Sequence, residues 1–479
     1  MRLLCTALPL ATLAALVAPP LFAQGTPPGQ TLVLTGVTVV DVREGRLVPN
    51  QIVAVKGNRI DAVTATRASS IPRGARVIDA RGRYLIPGLW DMHVHSAAAA
   101  AREFPIYLAL GVTGVRNMHT TADTALALVR GLKRQLATGA LLGPRFLANG
   151  PIVDGPVPAQ RGSVAVGAAA AARNAVDSLV AGGADFIKVY IRLPREAYFG
   201  VAAQAKRRRV PFVGHVPISV RAEEAADAGQ RSIEHTHELD WSCSTQGDSI
   251  RTAFLADPAP TRETYQHARA GLTATWSGEQ CAAAIAAMKR NGTWFVPTLV
   301  VGWAPLRADS VSADSAAIGV VPGATVEWWR TENDQMPSEV RRVAEAELRS
   351  GIALVGLLHE AGVPLLAGSD TGNPFVVPGF SLHTELELLV HAGLSPLAAI
   401  QTATVNPARF LDATDSLGTV EAGKLADLVL LDADPLADIR NTAKIRAVIT
   451  DGRYLDRAAL DLLLGDARRA ADPPAVAKP

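Results

Sequence analysis

Short apolar runs alternate with alanine-rich helical segments through the middle of the chain, between about residues 84 and 369. The apolar runs have the length and composition of buried strands, and the segments between them have the spacing of amphipathic helices. Because this alternation is typical of parallel βαβ units, and eight units can close on themselves, it predicts an α/β protein with a (β/α)8 TIM barrel. The predicted strands are 84–95, 111–118, 145–149, 186–190, 211–215, 232–235, 295–301 and 364–369.

An open, doubly wound sheet is the structural alternative for this pattern. Such a sheet usually has a glycine-rich phosphate-binding turn after its first strand, and the sequence has no such turn there. The barrel is therefore favoured. Its predicted helices are 121–136, 168–181, 195–208, 220–228, 279–290 and 340–361.

Short strand-like runs also occur on both sides of the predicted barrel. Residues 31–64 contain several of them, including separate runs at 31–35 and 37–42, with Gly57-Asn58 as a tight hairpin turn. Three more lie between residues 418 and 450. Neither set completes a domain, so we expect residues 31–84 and 413–455 to build one small β-sandwich beside a barrel formed by residues 85–412.

Residues 303–340 break the alternation of strands and helices and predict an inserted loop or lid. The segment contains Trp303, Trp328 and Trp329 and several prolines. These tryptophans could line a pocket or could pack in the core of the insertion.

Both ends of the chain have compositions typical of segments outside a folded domain. Arg2 precedes an apolar run from Leu3 to Phe22, which predicts a secretory signal peptide at residues 1–23. A membrane anchor is the alternative, but three prolines in the run and the lack of a basic stop-transfer cluster favour cleavage. We expect a periplasmic or extracellular protein without stable membrane insertion, and a disordered Ala/Pro-rich tail at residues 470–479.

Export changes the interpretation of the cysteines. Once Cys5 is removed with the signal peptide, Cys243 and Cys281 remain, and an oxidising compartment allows them to pair. The sequence therefore predicts a disulfide, with two buried free thiols as the alternative.

The overall charge argues against one class of partner. A formal net charge of +2 over 479 residues shows no basic excess for binding nucleic acid or an anionic membrane surface. A small-molecule partner is expected, and a homo-oligomer is compatible with the sequence.

Side chains that can bind metal ions occur near the carboxyl ends of five predicted strands, where barrel enzymes place their active sites. His93 and His95 lie two residues apart in the first strand and therefore point the same way. One such histidine is often structural, and an aspartate at a strand end is commonly a helix N-cap. Together the side chains indicate a site for zinc-like divalent ions. The other four strands contribute Lys188, His215, His235 and Asp370.

These residues and their neighbours resemble the metal-dependent hydrolases of the amidohydrolase superfamily. The resemblance extends from about residue 31 to residue 450. It rests in particular on residues 88–95, 233–235, 368–370 and 418–429. Residues 381–386 and 403–408 are similar to the imidazolonepropionase-like and prolidase-like members. One departure is Val216-Pro217 after His215, where many relatives have a second histidine.

The resemblance implies a centre of two divalent metal ions, expected to be zinc. His93, His95 and Asp370 would hold the more buried ion, and His215 and His235 the more exposed one. Lys188 would bridge the ions as a carbamate formed with carbon dioxide. Single-metal imidazolonepropionases lack this lysine, which favours the prolidase-like branch. A hydroxide between the ions would be the nucleophile, with Asp370 as general base and then general acid.

We therefore expect an exported amidohydrolase that cleaves a C–N amide bond in a peptide-like molecule, an N-acyl amino acid or a cyclic amide. A lactone or phosphotriester hydrolase on the same centre is one alternative, and an inactive, metal-bound solute-binding protein is another. Tyr190, Arg192 and His237 are the candidates for substrate contacts. The alternatives are that Tyr190 fills the barrel, that Arg192 is solvated, and that His237 supports the ligands or begins a helix. Among the other candidates, Arg195 is expected to be solvated, and His119, His383 and His391 to be structural.

Overall fold

The computed structural model describes residues 30–65, 71–120, 124–257 and 260–472. The predicted signal peptide at residues 1–23 and residues 473–479 of the predicted tail lie outside these ranges. No helix in the described ranges has both the length and the hydropathy needed to cross a membrane.

The strands of the described residues fall into a terminal sheet and a central parallel region. They are β1 (Leu32–Asp41), β2 (Arg46–Lys56), β3 (Arg59–Ala65), β4 (Arg76–Asp79), β5 (Tyr84–Pro87), β6 (Leu89–Val94), β7 (Val112–Asn117), β8 (Arg145–Ala148), β9 (Val153–Asp154), β10 (Val164–Ala165), β11 (Ile187–Val189), β12 (Phe212–Gly214), β13 (Ser232–Glu234), β14 (Trp294–Val296), β15 (Leu428–Leu431), β16 (Ile445–Thr450) and β17 (Arg453–Asp456).

The helices mostly follow the predicted alternation. They are α1 (Ala100–Ala109), α2 (Ala125–Thr138), α3 (Ala169–Ala181), α4 (Arg195–Arg208), α5 (Ala222–Asp227), α6 (Asp240–Cys243), α7 (Gly247–Ala256), α8 (Arg262–Ala274), α9 (Ala282–Asn291), α10 (Leu299–Leu306), α11 (Ala308–Ala313), α12 (Ser315–Ile318), α13 (Gly323–Asp334), α14 (Ser338–Ala361), α15 (Phe380–His391), α16 (Pro396–Thr402), α17 (Val405–Phe410) and α18 (Arg457–Ala471).

Strands from both ends of the chain form one eight-stranded sheet, in the order β17-β16-β15-β5-β1-β2-β3 with β4 beside β1. The two ends meet where β15 pairs antiparallel with β5, which places Val429 opposite Ile86. The runs that the sequence assigns to one β unit therefore share one continuous sheet. The chain passes from this sheet to the parallel region at Gly88, between β5 and β6.

Two glycine-containing features shape the N-terminal part of this sheet. Gly57 and Asn58 connect Lys56 of β2 to Arg59 of β3, as the hairpin prediction requires. The runs at 31–35 and 37–42, predicted as separate strands, instead form the single strand β1. Gly36 has a φ of +70°, and the pairing with β2 shifts register at this point, so the residue makes a bulge and does not end the strand.

The central region contains two groups of parallel strands, β6-β7-β8 and β10-β9-β11-β12-β13-β14. Residues 364–371 lie between these groups and form bridges, not a regular strand. Leu365 pairs with Phe295 of β14, and Thr371 pairs with Val94 of β6. The predicted α/β fold with parallel strands is thus present. In the described residues the strands remain two open sheets, so a single closed barrel stays a prediction.

Two helical excursions lengthen the connections around β14. The first, α6 to α8, separates β13 from α9, and the second, α10 to α13, occupies the predicted insertion and shortens the strand predicted at 295–301. In the second excursion Trp329 is buried and packs against Phe375, whereas Trp328 is 52% exposed. The first excursion meets α14 at an ion pair of 2.5 Å between Arg269 of α8 and Glu347.

The predicted disulfide joins Cys243 to Cys281 and closes the first excursion at its base. We expect the double variant Cys243→Ser/Cys281→Ser to lose about 3–4 kcal/mol of unfolding free energy, because the cross-link restricts a long loop of the unfolded chain. Urea unfolding without reductant measures this loss. Wild-type protein unfolded with reductant is the control and should match the double variant. An unchanged urea midpoint in the variant would contradict the prediction.

Candidate metal centre

The six predicted metal ligands come together although they lie in five separate parts of the chain. His93 lies in β6 and His95 just beyond it, Lys188 lies in β11, and His215 and His235 directly follow β12 and β13. Asp370 follows the bridged segment that starts at Leu365. Because these strands are parallel, their carboxyl ends lie at one edge, and the side chains meet there.

The first part of the cluster is built around the carboxylate of Asp370. Its Oδ1 lies 2.9 Å from His95 Nε2 and 3.4 Å from His93 Nε2, and its Oδ2 lies 3.7 Å from His235 Nδ1. Lys188 Nζ lies 3.5 Å from His93 Nε2. The predicted set of His93, His95 and Asp370 is therefore close together, with Lys188 beside it.

The second part of the cluster lies on the far side of His235. The ring of His235 is 4.7 Å from that of His93 and 4.8 Å from that of His215, measured between centroids. His215 Nε2 and His237 Nε2 lie 3.7 Å and 3.4 Å from Glu238 Oε1. Two groups of described side chains have donor atoms close enough to share an ion: His93, His235 and Asp370, and His215, His237 and Glu238.

A buried network of hydrogen bonds orients the first group. His93 Nδ1 lies 2.9 Å from Glu234 Oε2, which leaves Nε2 facing Lys188 and Asp370. Glu234 also pairs with the buried Arg116, whose guanidinium lies over the ring of Phe186. Burial raises the pKa of Glu234, but the charge of Arg116, the charge and hydrogen bond of His93 and the hydrogen bond from Ser232 together more than offset this, so the pKa lies below the ordinary value. This carboxylate therefore stays ionised beside His93.

Burial sets the protonation of the donor atoms. It lowers the pKa of His93 to about 4, so its imidazole is neutral near pH 7 and free to bind a cation. It also lowers the pKa of Lys188 to about 8, which makes the neutral amine accessible. Asp91, two residues before His93, accepts hydrogen bonds from Ser369, and burial raises its pKa to about 7.

Several buried polar atoms in the cluster have no hydrogen-bond partner among the described residues. They are Asp370 Oδ1, His215 Nδ1 and Glu238 Oε1. Buried polar atoms are rarely left without a partner, because that costs free energy. Nitrogen and oxygen donors that converge in this way fit divalent ions such as zinc, which would satisfy them. The donor set thus fits the metal ions implied by the resemblance.

The cluster opens into a cavity of about 1040 Å³. Tyr190, whose ring lies 4.1 Å from that of His215 between centroids, lines this cavity, as does His237. Both helical excursions contribute to the wall, in part through Arg269 of α8 and Leu299 of α10. The three tryptophans of the predicted insertion do not appear among the described lining residues, whereas Pro305, Leu306 and Met336 do.

The profile of the amidohydrolase family matches residues 84–455, which is most of the chain. The chain belongs to the amidohydrolase family. This assignment confirms the resemblance found in the sequence, and the class comprises hydrolases that act on carbon–nitrogen bonds.

Individual relatives of this amidohydrolase differ in how much of the chain they match. Imidazolonepropionase from Symbiobacterium thermophilum is 24% identical over 81% of this chain and 85% of its own. The chain spans about a fifth of the length of the curated adenine deaminases that it matches, such as adenine deaminase 2 from Jannaschia sp..

Solved structures share its fold. Bottromycin amidohydrolase superposes with a TM-score of 0.70 at 24% identity, covering 92% of this chain and 91% of its own. A Xaa-Pro dipeptidase with bound methionine in the active site superposes with a TM-score of 0.66 at 21% identity, covering 89% of this chain and all of its own.

Other polar candidates of this amidohydrolase lie in different surroundings. Arg192 is exposed, donates to the carbonyl of Val157 and is not among the described lining residues of the cavity. Arg195 pairs with Glu224 on the surface. His119 lines the cavity, and neither of its ring nitrogens has a hydrogen-bond partner among the described residues. His391 is exposed. His383 bonds to Thr442 and to the carbonyl of Leu110, consistent with the structural role expected for it.

The sequence did not indicate Glu238, Arg116 or Glu385 as parts of the site. Glu385 in α15 accepts the backbone N–H groups of Leu299 and Val300, at the start of α10. The residue before α10, Thr298, bonds to His235 Nδ1 at 2.8 Å. The carboxyl group of Glu385 therefore supports the turn that orients a predicted ligand.

Burial raises the pKa of Glu385 from 4.5 to about 8. As pH rises above 4.5 the unfolded chain loses this proton while the folded protein keeps it, so the unfolding free energy falls up to about pH 8. The slope from this group is at most about 1.4 kcal/mol per pH unit. We expect Glu385→Gln to show a smaller decline than wild type in urea unfolding from pH 5 to pH 9. The exposed Glu360→Gln is the control, and parallel curves for wild type and Glu385→Gln would contradict the prediction.

Proposed function

We propose that this amidohydrolase is an exported enzyme with a two-ion centre that hydrolyses an amide bond in a peptide-like molecule, an N-acyl amino acid or a cyclic amide. The observation that supports this best is the meeting of His93, His95, Lys188, His215, His235 and Asp370 at the carboxyl ends of parallel strands. We also infer that these strands, with residues 364–371, close as a (β/α)8 barrel around the centre.

We assign the side chains to two sets, one for each ion. His93, His95 and Asp370 would hold one ion, and His215 and His235 the other. Lys188, as a carbamate, would be the ligand shared by the two ions and would supply a negative charge to the site. Its side chain is 1% exposed, and Nζ lies 3.5 Å from His93 Nε2. Two bound divalent ions would lower the pKa of a bound water and polarise the scissile carbonyl group.

Asp370 would act first as the general base and then as the general acid in this reaction. Its Oδ1 is buried and has no hydrogen-bond partner, although His95 Nε2 lies 2.9 Å away. An oxygen in this position can accept a proton from the attacking water and deliver it to the leaving nitrogen. Tyr190 and His237, both on the cavity wall, are placed to contact the substrate.

The substrate class follows from the cavity and from the relatives. A cavity of about 1040 Å³ accommodates a small molecule with more than one residue-sized group. The matched proteins include an imidazolonepropionase, a Xaa-Pro dipeptidase and bottromycin amidohydrolase, whose names point to cyclic-amide and peptide substrates. The disulfide between Cys243 and Cys281 supports export, because such bonds persist in oxidising compartments.

A substrate panel with metal analysis tests the proposal. Mature protein loaded with zinc should contain two ions per chain and should hydrolyse at least one class among dipeptides, N-acyl amino acids and cyclic amides. Asp412→Asn, which changes an exposed aspartate outside the centre, is the matched active control. Turnover only of lactones or phosphotriesters would replace the amide assignment, and tight binding without any turnover would indicate a solute-binding protein.

A further inference from the structure

Glu238 lies in the second part of the cluster, in the turn that follows strand β13. β13 ends at Glu234, and His235 follows with a φ of +70°, which is unusual for a residue other than glycine. Residues Thr236–Glu238 then form a 3-10 turn. This turn brings the carboxylate of Glu238 back toward the metal centre, where the side chain is 3% exposed.

The two carboxylate oxygens of Glu238 have different surroundings. Oε2 accepts the backbone N–H of Val216, the residue directly after His215, at 3.1 Å. Oε1 has no hydrogen-bond partner and lies 3.7 Å from His215 Nε2. One oxygen therefore fixes the carboxylate, and the other faces the imidazole of a predicted ligand.

The first part of the cluster also has a glutamate facing one ring nitrogen of a predicted histidine ligand, and there the hydrogen bond is formed. Glu234 holds His93 through Nδ1 at 2.9 Å, so the other ring nitrogen of His93 faces Asp370 and Lys188. A carboxylate that accepts the N–H of one ring nitrogen fixes the tautomer and turns the other nitrogen toward the ion. In His215 the nitrogen that does not face a carboxylate, Nδ1, is buried and has no partner.

We propose that Glu238 is a positioning residue that holds His215 through Nε2 and directs His215 Nδ1 to the second ion. The proposal rests on the proposed two-ion function. With a proton on Nε2 and an ion on Nδ1, both unpartnered atoms are satisfied. His237 Nε2 lies 3.4 Å from the same oxygen without a hydrogen bond to it. Because His237 is 31% exposed and lines the cavity, it also links this carboxylate to the substrate side.

Replacing Glu238 with glutamine tests this role with little change in volume. The amide oxygen can still accept the N–H of Val216, but the negative charge facing His215 is lost. We expect Glu238→Gln to bind the first zinc ion normally and the second about 10–100-fold more weakly. Glu238→Ala should lose at least as much. Zinc content and chelator competition measure both affinities, with the exposed cavity-wall variant Glu263→Gln as control.

Activity provides a second readout that distinguishes positioning from loss of structure. Saturating zinc should restore most of the activity of Glu238→Gln, because it refills the weakened site, and thermal unfolding of the zinc-free proteins should coincide. Two ions bound with unchanged affinity in Glu238→Gln would overturn the role of Glu238 alone. One ion in the wild type would overturn both proposals. Two ions without amide hydrolysis, but with weakened binding in the variant, would overturn only the proposed function.

Discussion

Replacement of Asp370 by asparagine is expected to lower kcat for the amide substrate by about 10²–10⁴-fold, the usual contribution of a general acid–base group. The carboxylate lies among His93, His95 and His235, and its Oδ1 has no hydrogen-bond partner. An asparagine oxygen can still contact an ion, but it cannot take up a proton. Turnover should therefore fall far more than the metal content, and both are measured on the same preparation.

The backbone at this position makes asparagine the informative replacement. Asp370 has a φ of +56°, in the left-handed region that asparagine and aspartate tolerate better than most residues. Asp412 has a φ of +53° and is exposed, so Asp412→Asn reproduces the chemical and backbone change outside the centre. We expect normal kcat in that control. A kcat of Asp370→Asn within a few-fold of wild type would exclude Asp370 as the proton carrier, and loss of both ions would show that it acts mainly as a ligand.

The residues at strand ends could be predicted because their signal is local. His93, Lys188 and His235 each lie in or directly after an apolar run, and the parallel alternation of strands and helices implies that such ends meet at one edge. The lysine was especially informative, because a charged side chain in a buried strand is costly without a partner. The structure places it beside His93, as that argument requires.

The partners of these ligands could not be predicted, because their contacts join distant parts of the chain. Arg116 and Glu234 are 118 residues apart, and the N–H that holds Glu238 belongs to Val216 on the preceding strand end. Arg116 did offer a local signal, since it occupies a run from Val112 to Asn117 that is entirely buried. No comparable signal marked Glu238, whose burial depends on the fold of a single 3-10 turn.

The excursion helices were missed for a related reason. Residues 236–281 have the polar composition of a surface connection, and the strict alternation that predicts βαβ units does not extend through them. Only the predicted disulfide between Cys243 and Cys281 indicated that the two ends of this segment lie close together. Its contribution to the cavity wall, through residues such as Tyr265 and Arg269, depends on how α8 packs against α14.

Replacement of Lys188 by alanine is expected to reduce the bound metal from two ions per chain to one or none and to abolish measurable amide hydrolysis. Lys188 is 1% exposed, and burial lowers its pKa from 10.5 to about 8, so a much larger fraction of the amine is neutral near physiological pH than in an exposed lysine and can react with carbon dioxide. The carbamate would return a negative charge to a site that must hold two dications. Without it, the first ion would repel the second no less, and the second ion would have one ligand fewer.

The dependence on carbon dioxide separates this explanation from a simple loss of packing. Wild-type protein stripped of metal should take up its second zinc ion faster when bicarbonate is supplied, whereas Lys188→Ala should show no response. Lys133→Ala, which removes a partly exposed lysine paired with Asp185, is the control for a change of charge and should retain two ions. One ion in both wild type and Lys188→Ala would instead indicate a single-metal enzyme, and Lys188 would then act only as a buried cation beside His93. Two ions in the alanine variant would show that His215 and His235 hold the second ion without a bridge.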